Sequence, residues 1–151
     1  MVATVNSFTF YNKFKQQLGL GTVDLSAATT FYAQLLRSAS NVADATLSTL
    51  ASVTGTCTGS GYQGAKALAN VAWTAASAAD AGTYRWDFDA IVFTASTGPI
   101  SNVKYCQIYQ SLGAGTGLPV GYWQLVTAET EVTENNTVTI TPNTYCFSMS
   151  G

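Results

Sequence analysis

The strongest structural signal in the sequence is an alternation of side-chain character at residues 83–89, TYRWDFD, where aromatic residues alternate with charged ones. Residues two apart on a β-strand share a face, so this run predicts a strand with one aromatic face and one polar face. We predict that the strand continues to residue 95. The run AIVF at 90–93 loses the alternation, which indicates burial on both faces or a bulge.

Other short runs rich in β-branched and aromatic residues recur along the chain, separated by Gly, Pro and Asn turn signals at intervals of roughly 8–12 residues. Seven or eight short strands with this spacing favour a sandwich or barrel over alternating β-α units. The predicted fold class is therefore mainly β, an antiparallel β-sandwich or jelly-roll-like domain with a short N-terminal helix or arm. Besides 83–95, the predicted strands lie at residues 29–36, 65–73, 103–109, 120–127, 137–141 and 145–149, with 132–134 near a turn and 41–50 as a helical turn or loop.

The N-terminal segment shows a helical period instead. Phe10, Phe14 and Leu18 recur every four residues, so a helix would place them on one face. Ser7 is a plausible N-cap, which predicts a helix over residues 7–18.

Charged residues make up only 9% of the chain, against about 25% in ordinary domains. A surface of uncharged polar residues can be buried against a partner at a small ionic desolvation cost. The helical period of the N-terminal segment divides the chain into an N-terminal arm or short helix at 1–20 and a single β-sandwich domain at 21–151. Phe10, Phe14 and Leu18 are the candidate assembly interface, through which the arm would dock on a neighbouring subunit.

The residues that most often carry catalysis are missing or badly placed. The chain has no histidine, which removes the commonest general base, the usual catalytic triads and most zinc sites. Cys57, Cys106 and Cys146 are widely spaced and are interpreted as small buried hydrophobic residues in a reducing compartment. We predict no catalytic residue, no metal site and no cofactor.

Two groups of acidic residues have ordinary structural interpretations. Asp87 and Asp89 would share a strand face, but calcium needs 6–8 oxygen ligands and no loop of the calcium-binding pattern is present. Glu129, Glu131 and Glu134 cluster before a hairpin and are typical of an exposed edge that resists unwanted strand pairing.

Charge and hydropathy argue against nucleic-acid and membrane partners. The net charge is −2 and the six basic residues are scattered, so no basic stripe would follow a phosphate backbone. No apolar run approaches the ~18 residues of a membrane helix. Residues 1–7 lack the features of a secretory signal, so we expect neither export nor membrane insertion.

Three runs share a pattern with a known class of proteins. They are GSGYQG at 59–64, VKYCQIYQ at 103–110 and the closing strand VTIT at 138–141. Through them, residues 47–150 resemble a widespread class of small tailed-bacteriophage virion proteins. The resemblance implies a β-sandwich module that attaches to the particle in many copies, and it supplies no catalytic residues.

The function implied is that of a virion protein, assembled in the host cytoplasm. The favoured form is a capsid decoration or cement protein that stabilises the phage head by bridging capsid subunits. Its partners would be further copies of itself, with a trimer favoured, and the major capsid protein or other virion proteins.

An alternative is a tail-associated or fibre-associated module that binds carbohydrate for host attachment. Its candidate exposed aromatic contacts are Tyr62, Trp73, Tyr122 and Trp123. Tyr122 and Trp123 are adjacent on a predicted strand, so they should point to opposite faces, leaving one of them exposed. An enzyme is the least favoured interpretation.

Overall fold

The computed structural model describes residues 2–5, 7–26, 30–75, 83–113, 116–142 and 147–150. In these ranges the chain is mainly β, with antiparallel sheets and one short α-helix, which confirms the predicted sandwich-like fold class. A single turn of 3-10 helix lies at Leu50–Ser52. The other elements are β1 (Val2–Val5), β2 (Thr9–Phe10), α1 (Asn12–Gly19), β3 (Phe31–Leu36), β4 (Lys66–Ala67), β5 (Ala72–Ala75), β6 (Thr83–Asp87), β7 (Ile91–Thr94), β8 (Ile100–Val103), β9 (Tyr105–Gly113), β10 (Thr116–Gln124), β11 (Thr130–Val132), β12 (Thr137–Pro142) and β13 (Phe147–Ser150).

The central element is a five-stranded antiparallel sheet in the order β2-β10-β9-β3-β4. Two three-stranded sheets, β1-β12-β7 and β13-β6-β5, and the pair β11-β8 complete the described strands. β1 runs parallel to β12, whereas the other described pairings are antiparallel.

The two faces of the central sheet bury different kinds of side chain, because alternate residues of each strand point to opposite sides. On one face, Leu35 and its cross-strand partner Cys106 belong to the main hydrophobic core with Trp86. On the other, Gln34 lies opposite Gln107, and both side chains are buried. The central sheet is therefore covered on both sides.

The predicted strand at 83–95 is divided into β6 and β7. Phe88 and then Ile91 are buried, so the alternation shifts by one residue in the break between the strands. Of the two alternatives predicted for 90–93, burial on both faces or a bulge, burial on both faces is wrong, because Val92 remains exposed between Ile91 and Phe93. The predicted strand at 65–73 is likewise divided, into β4 and β5.

The N-terminal segment differs most from the prediction. The helix begins at Asn12 rather than at Ser7, because Thr9 and Phe10 pair with β10 as the short strand β2. Phe14 is fully buried in the main core, and the ring of Phe10 stacks on it with centroids 5.7 Å apart. The described part of the predicted arm is therefore an integral part of the domain.

A buried chain of hydrogen bonds joins this segment to the central sheet. The Gln34 amide donates to the Gln107 side-chain oxygen at 2.6 Å, and the Gln107 amide donates to the Tyr11 hydroxyl at 2.8 Å. That hydroxyl donates to the backbone oxygen of Val42, also at 2.8 Å. Burial raises the pKa of Tyr11 above its ordinary value, so the phenol stays protonated and keeps this donor.

Removing the Tyr11 hydroxyl tests how much these buried hydrogen bonds contribute to the stability of the fold. Tyr11→Phe leaves the Gln107 amide and the Val42 oxygen without a partner in a buried site, so we expect a loss of about 1–3 kcal/mol in the free energy of unfolding. Urea titration measures it. The matched control is Tyr122→Phe, at a half-buried tyrosine whose hydroxyl has no bond to a described residue. The free energy of unfolding of Tyr122→Phe should stay within about 0.5 kcal/mol of that of the parent. Equal losses in the two variants would contradict a stabilising role of the Tyr11 hydroxyl.

The glycine-rich run at 59–64 is packed against residues 97–101. Ser60 Oγ donates to the Thr97 backbone oxygen at 3.0 Å, and Thr97 Oγ1 donates to the Ser60 oxygen at 2.6 Å. Gly61 is buried, and a Cβ there would overlap the backbone oxygen of Gly98. Glycine is needed at this position for the close approach of two backbones.

The substitution Gly61→Ala should therefore destabilise the fold by about 1–3 kcal/mol, the usual cost of forcing extra volume into a packed site. Gly19→Ala is the matched control. Gly19 ends α1, and a Cβ added there would have no atom within 4 Å, so alanine should be neutral or stabilise by up to about 1 kcal/mol. Thermal unfolding of both variants measures the difference, and an unchanged Tm for Gly61→Ala would show that the two loops separate easily.

Candidate functional site

An open groove of about 440 Å³ lies between α1, residues 48–51 and the β9–β10 hairpin. Of the described residues that line it, Lys13 is the only charged one. The side chains that matter for its chemistry are Lys13, Val23, Ala51, Gln110, Leu112 and Leu118.

The position of the groove follows from the pairing of β10. Its outer edge is occupied by β2 at Gly121 and Tyr122, and the Tyr11 N–H donates to the Val120 oxygen at 3.1 Å. The chain then turns away as α1. Among the described residues, no strand pairs with the outer edge of β10 at residues 116–118, and this edge forms part of the groove wall.

Gly117 allows the opposite wall to approach the hairpin. A Cβ on Gly117 would lie 3.1 Å from Leu50 Cβ and 2.9 Å from the Gln110 backbone oxygen. The absence of that Cβ lets the 3-10 turn that contains Leu50 pack close to β10 without displacing either segment.

Gln110 is the most unusual side chain in the groove. It is 9% exposed, and its side-chain amide makes no hydrogen bond to any residue that the structure describes. Its amide is not among the fully buried side-chain groups that lack a partner, so it reaches the solvent of the groove and is accessible to a ligand there.

Two exposed leucines lie on this side of the molecule. Leu112, which lines the groove, is 63% exposed, and Leu20, directly after α1, is 65% exposed. Single exposed apolar residues are common. Leu112, however, continues the apolar lining of the groove outward into solvent.

The predicted assembly interface is not an exposed patch. Phe14 is fully buried, and Phe10 and Leu18 are half-buried against the same core. These side chains stabilise the subunit itself, because their helical spacing reflects attachment to its own sheet.

The predicted aromatic contacts also have structural partners. Trp123 is buried, with its ring 4.5 Å from that of Phe8, and half-buried Tyr122 lies beside Tyr11. The Tyr62 hydroxyl accepts the Leu35 N–H at 3.1 Å. Neither Tyr122 nor Trp123 is therefore an exposed ring, and the expectation that one of them is exposed is wrong.

Trp73 is different, because it stacks on a ring that is exposed. Its ring lies 5.8 Å from that of Tyr84, at an angle of 15°. Tyr84 is 46% exposed, although the alternation at 83–89 placed it on the buried face. Trp73 lies on β5, an edge strand of the sheet β13-β6-β5, and Tyr84 lies on β6, its central strand.

The described cysteines are poor nucleophiles. Both Cys57 and Cys106 are buried and free. Burial raises the pKa of the Cys57 thiol to about 12 and also raises the pKa of Cys106. Cys146 lies outside the described residues.

The acidic residues also have local structural roles. Asp89 accepts from the Asn70 amide at 2.7 Å, and Asp87 accepts from the Phe88 N–H. Glu129 accepts from the N–H and the hydroxyl of Ser38, which lowers the pKa of this carboxyl. Within the described ranges, no three metal-ligating side chains come together.

The described helix α1 is far too short to span a bilayer, and none of the described helices qualifies as a membrane segment.

Sequence reasoning missed Gln110 and the groove around it. The signal available was its position: Cys106, Ile108 and Gln110 are alternate residues of one strand, and the first two are apolar. A glutamine in the next inward position would have marked a polar group at the core boundary.

Comparison with known proteins gives no relative, because no protein-family model, no curated protein and no solved structure matches this chain. Its function has to be inferred from the chemistry of its own surfaces.

The two described thiols should resist alkylation in the folded protein. The thiolate is the reactive form, and a pKa of about 12 for Cys57 leaves it protonated at pH 8. After treatment with iodoacetamide at pH 8, peptide mass spectrometry should find Cys57 and Cys106 unmodified, and modified when urea is present. Rapid labelling of either thiol without urea would contradict its buried placement.

Proposed function

We propose that this chain is a non-enzymatic virion structural protein, most specifically a capsid decoration or cement protein that stabilises a phage head by bridging capsid subunits. The observation that carries the proposal is an almost uncharged groove with an apolar rim, in which Lys13 is the only charged lining residue described. The resemblance of residues 47–150 to phage virion proteins supplies the biological setting.

A second uncharged surface supports an assembly role. On the outer face of β7 and β12, exposed Val92 lies opposite Thr139, and exposed Thr94 lies opposite Thr137. Interface cores are depleted in charge, because burying an unpaired ion costs more than burying hydroxyl and methyl groups. A chain with two such surfaces can contact two neighbours at once, as bridging requires.

Bridging is also how such a protein would stabilise a shell. A protein that binds the assembled lattice and not its separate subunits shifts the equilibrium toward the lattice by mass action. In this proposal the copies self-associate, with a trimer favoured, and contact the major capsid protein.

The direct test is the protein content of particles. Particles should be purified on a density gradient from a host culture that expresses the gene, and their proteins quantified by mass spectrometry. We expect the chain in the particle fraction in many copies, at a fixed ratio to the major capsid protein. Its recovery only in the soluble fraction would overturn the proposal.

The stacked pair of Trp73 and Tyr84 favours a second function, a tail or fibre module that binds glycans. An exposed aromatic ring offers an apolar face with a polar edge, which suits a sugar ring. Binding on a glycan array that is lost in Trp73→Ala would favour this function. Unchanged binding in Trp73→Ala, or an empty array, would count against it.

A further inference from the structure

We propose that the groove beside β10 binds an extended peptide segment of a partner protein, which adds as a strand to the open edge at residues 116–118. This deepens the proposed function, since it rests on the chain having a virion partner and states what that partner presents. The chemistry of the peptide is an apolar residue close to an acidic one.

The first support is the unpaired amide of Gln110. A glutamine side chain offers one acceptor and two N–H donors, the same two kinds of group that a peptide bond presents. At 9% exposed and without a hydrogen bond to a described residue, it faces the groove that it lines. A peptide bond placed there would satisfy both sides of the amide at once.

The second support is the open strand edge. An edge strand presents a row of backbone N–H and C=O groups away from its ladder, which is the usual template for an added strand. The β10 edge at 116–118 has β9 on one side and, among the described strands, none on the other. Because this edge and Gln110 line the same groove, one extended chain can contact both.

The third support is the character of the walls. Val23, Leu112 and Leu118 offer apolar surface to a side chain of the peptide. Lys13 stands among them, its ammonium held at 3.1 Å from Gln16 Oε1, with no acidic residue among the described lining. A carboxylate on the peptide would complement this charge.

The experiment is a selection of random linear peptides, displayed on a carrier, against the intact protein. Gln110→Met serves for counter-selection, because methionine keeps the volume and removes the amide. Its urea midpoint should stay close to that of the parent, since the Gln110 amide has no hydrogen bond to a described residue to lose. We expect enriched peptides that combine apolar and acidic residues and bind Gln110→Met at least about tenfold more weakly, roughly the effect of one lost hydrogen bond.

Two further variants separate the parts of the proposal. Lys13→Glu should weaken the acidic peptides, whereas Lys66→Glu, at an exposed lysine on the opposite edge of the central sheet, should not. Methylating the backbone nitrogens of an enriched peptide should abolish its binding, because an added strand needs its N–H groups.

Several results would overturn the inference. These are a selection with no enrichment, or peptides that bind the parent and Gln110→Met equally well. A third is an oligomer of the parent protein, detected by light scattering after size exclusion, that dissociates in Leu112→Ser. The groove would then be occupied by a second copy of this chain and not by a partner peptide. If the protein binds peptides but is not recovered in purified particles, the virion proposal is contradicted and the peptide site is still supported.

Discussion

The structure depends on one buried chain of hydrogen bonds, from Gln34 through Gln107 and Tyr11 to the backbone of Val42. It joins three parts of the chain that are distant in sequence: the segment before α1, β3 with the loop that follows it, and β9. Buried polar networks are favourable only when their members are satisfied, and here each link has a donor and an acceptor. These hydrogen bonds hold Tyr11 against the central sheet. Because α1 begins at the next residue, they also set the position of its first turn.

The placement of α1 determines the groove. Because β2 and Tyr11 occupy the outer edge of β10 only from residue 120 onward, the edge at 116–118 stays open while α1 forms the facing wall. The same arrangement places the Gln110 side chain in the groove, with no hydrogen bond to a described residue. This amide and the open strand edge beside it are the two features that the proposed peptide would contact.

The fold class could be predicted from the sequence because alternation is a local property: Trp86 and Phe88 are buried as the alternation at 83–89 indicates, although Tyr84 is exposed. The helix boundary could not. Phe10, Phe14 and Leu18 have helical spacing, but Phe10 pairs with Gly121, more than a hundred residues away, and such pairing overrides local pattern. The groove was also out of reach, since Gln110, Leu112 and Lys13 meet only when the sheet is assembled. The packing of the glycines at 59–64 against residues 97–101 is also non-local, because Ser60 and Thr97 are 37 residues apart.

The central claim is that the segment before α1 belongs to the same cooperative unit as the central sheet. Native-state hydrogen exchange tests it at single amides. The N–H of Tyr11 donates to Val120 and that of Asn12 to Ala45, at 3.1 and 3.0 Å. We predict that both amides open with the same free energy as the amide of Ile108 in β9. Exchange of Tyr11 and Asn12 at a far lower opening free energy than Ile108 would show a segment that detaches while the sheet stays folded, and would contradict the claim.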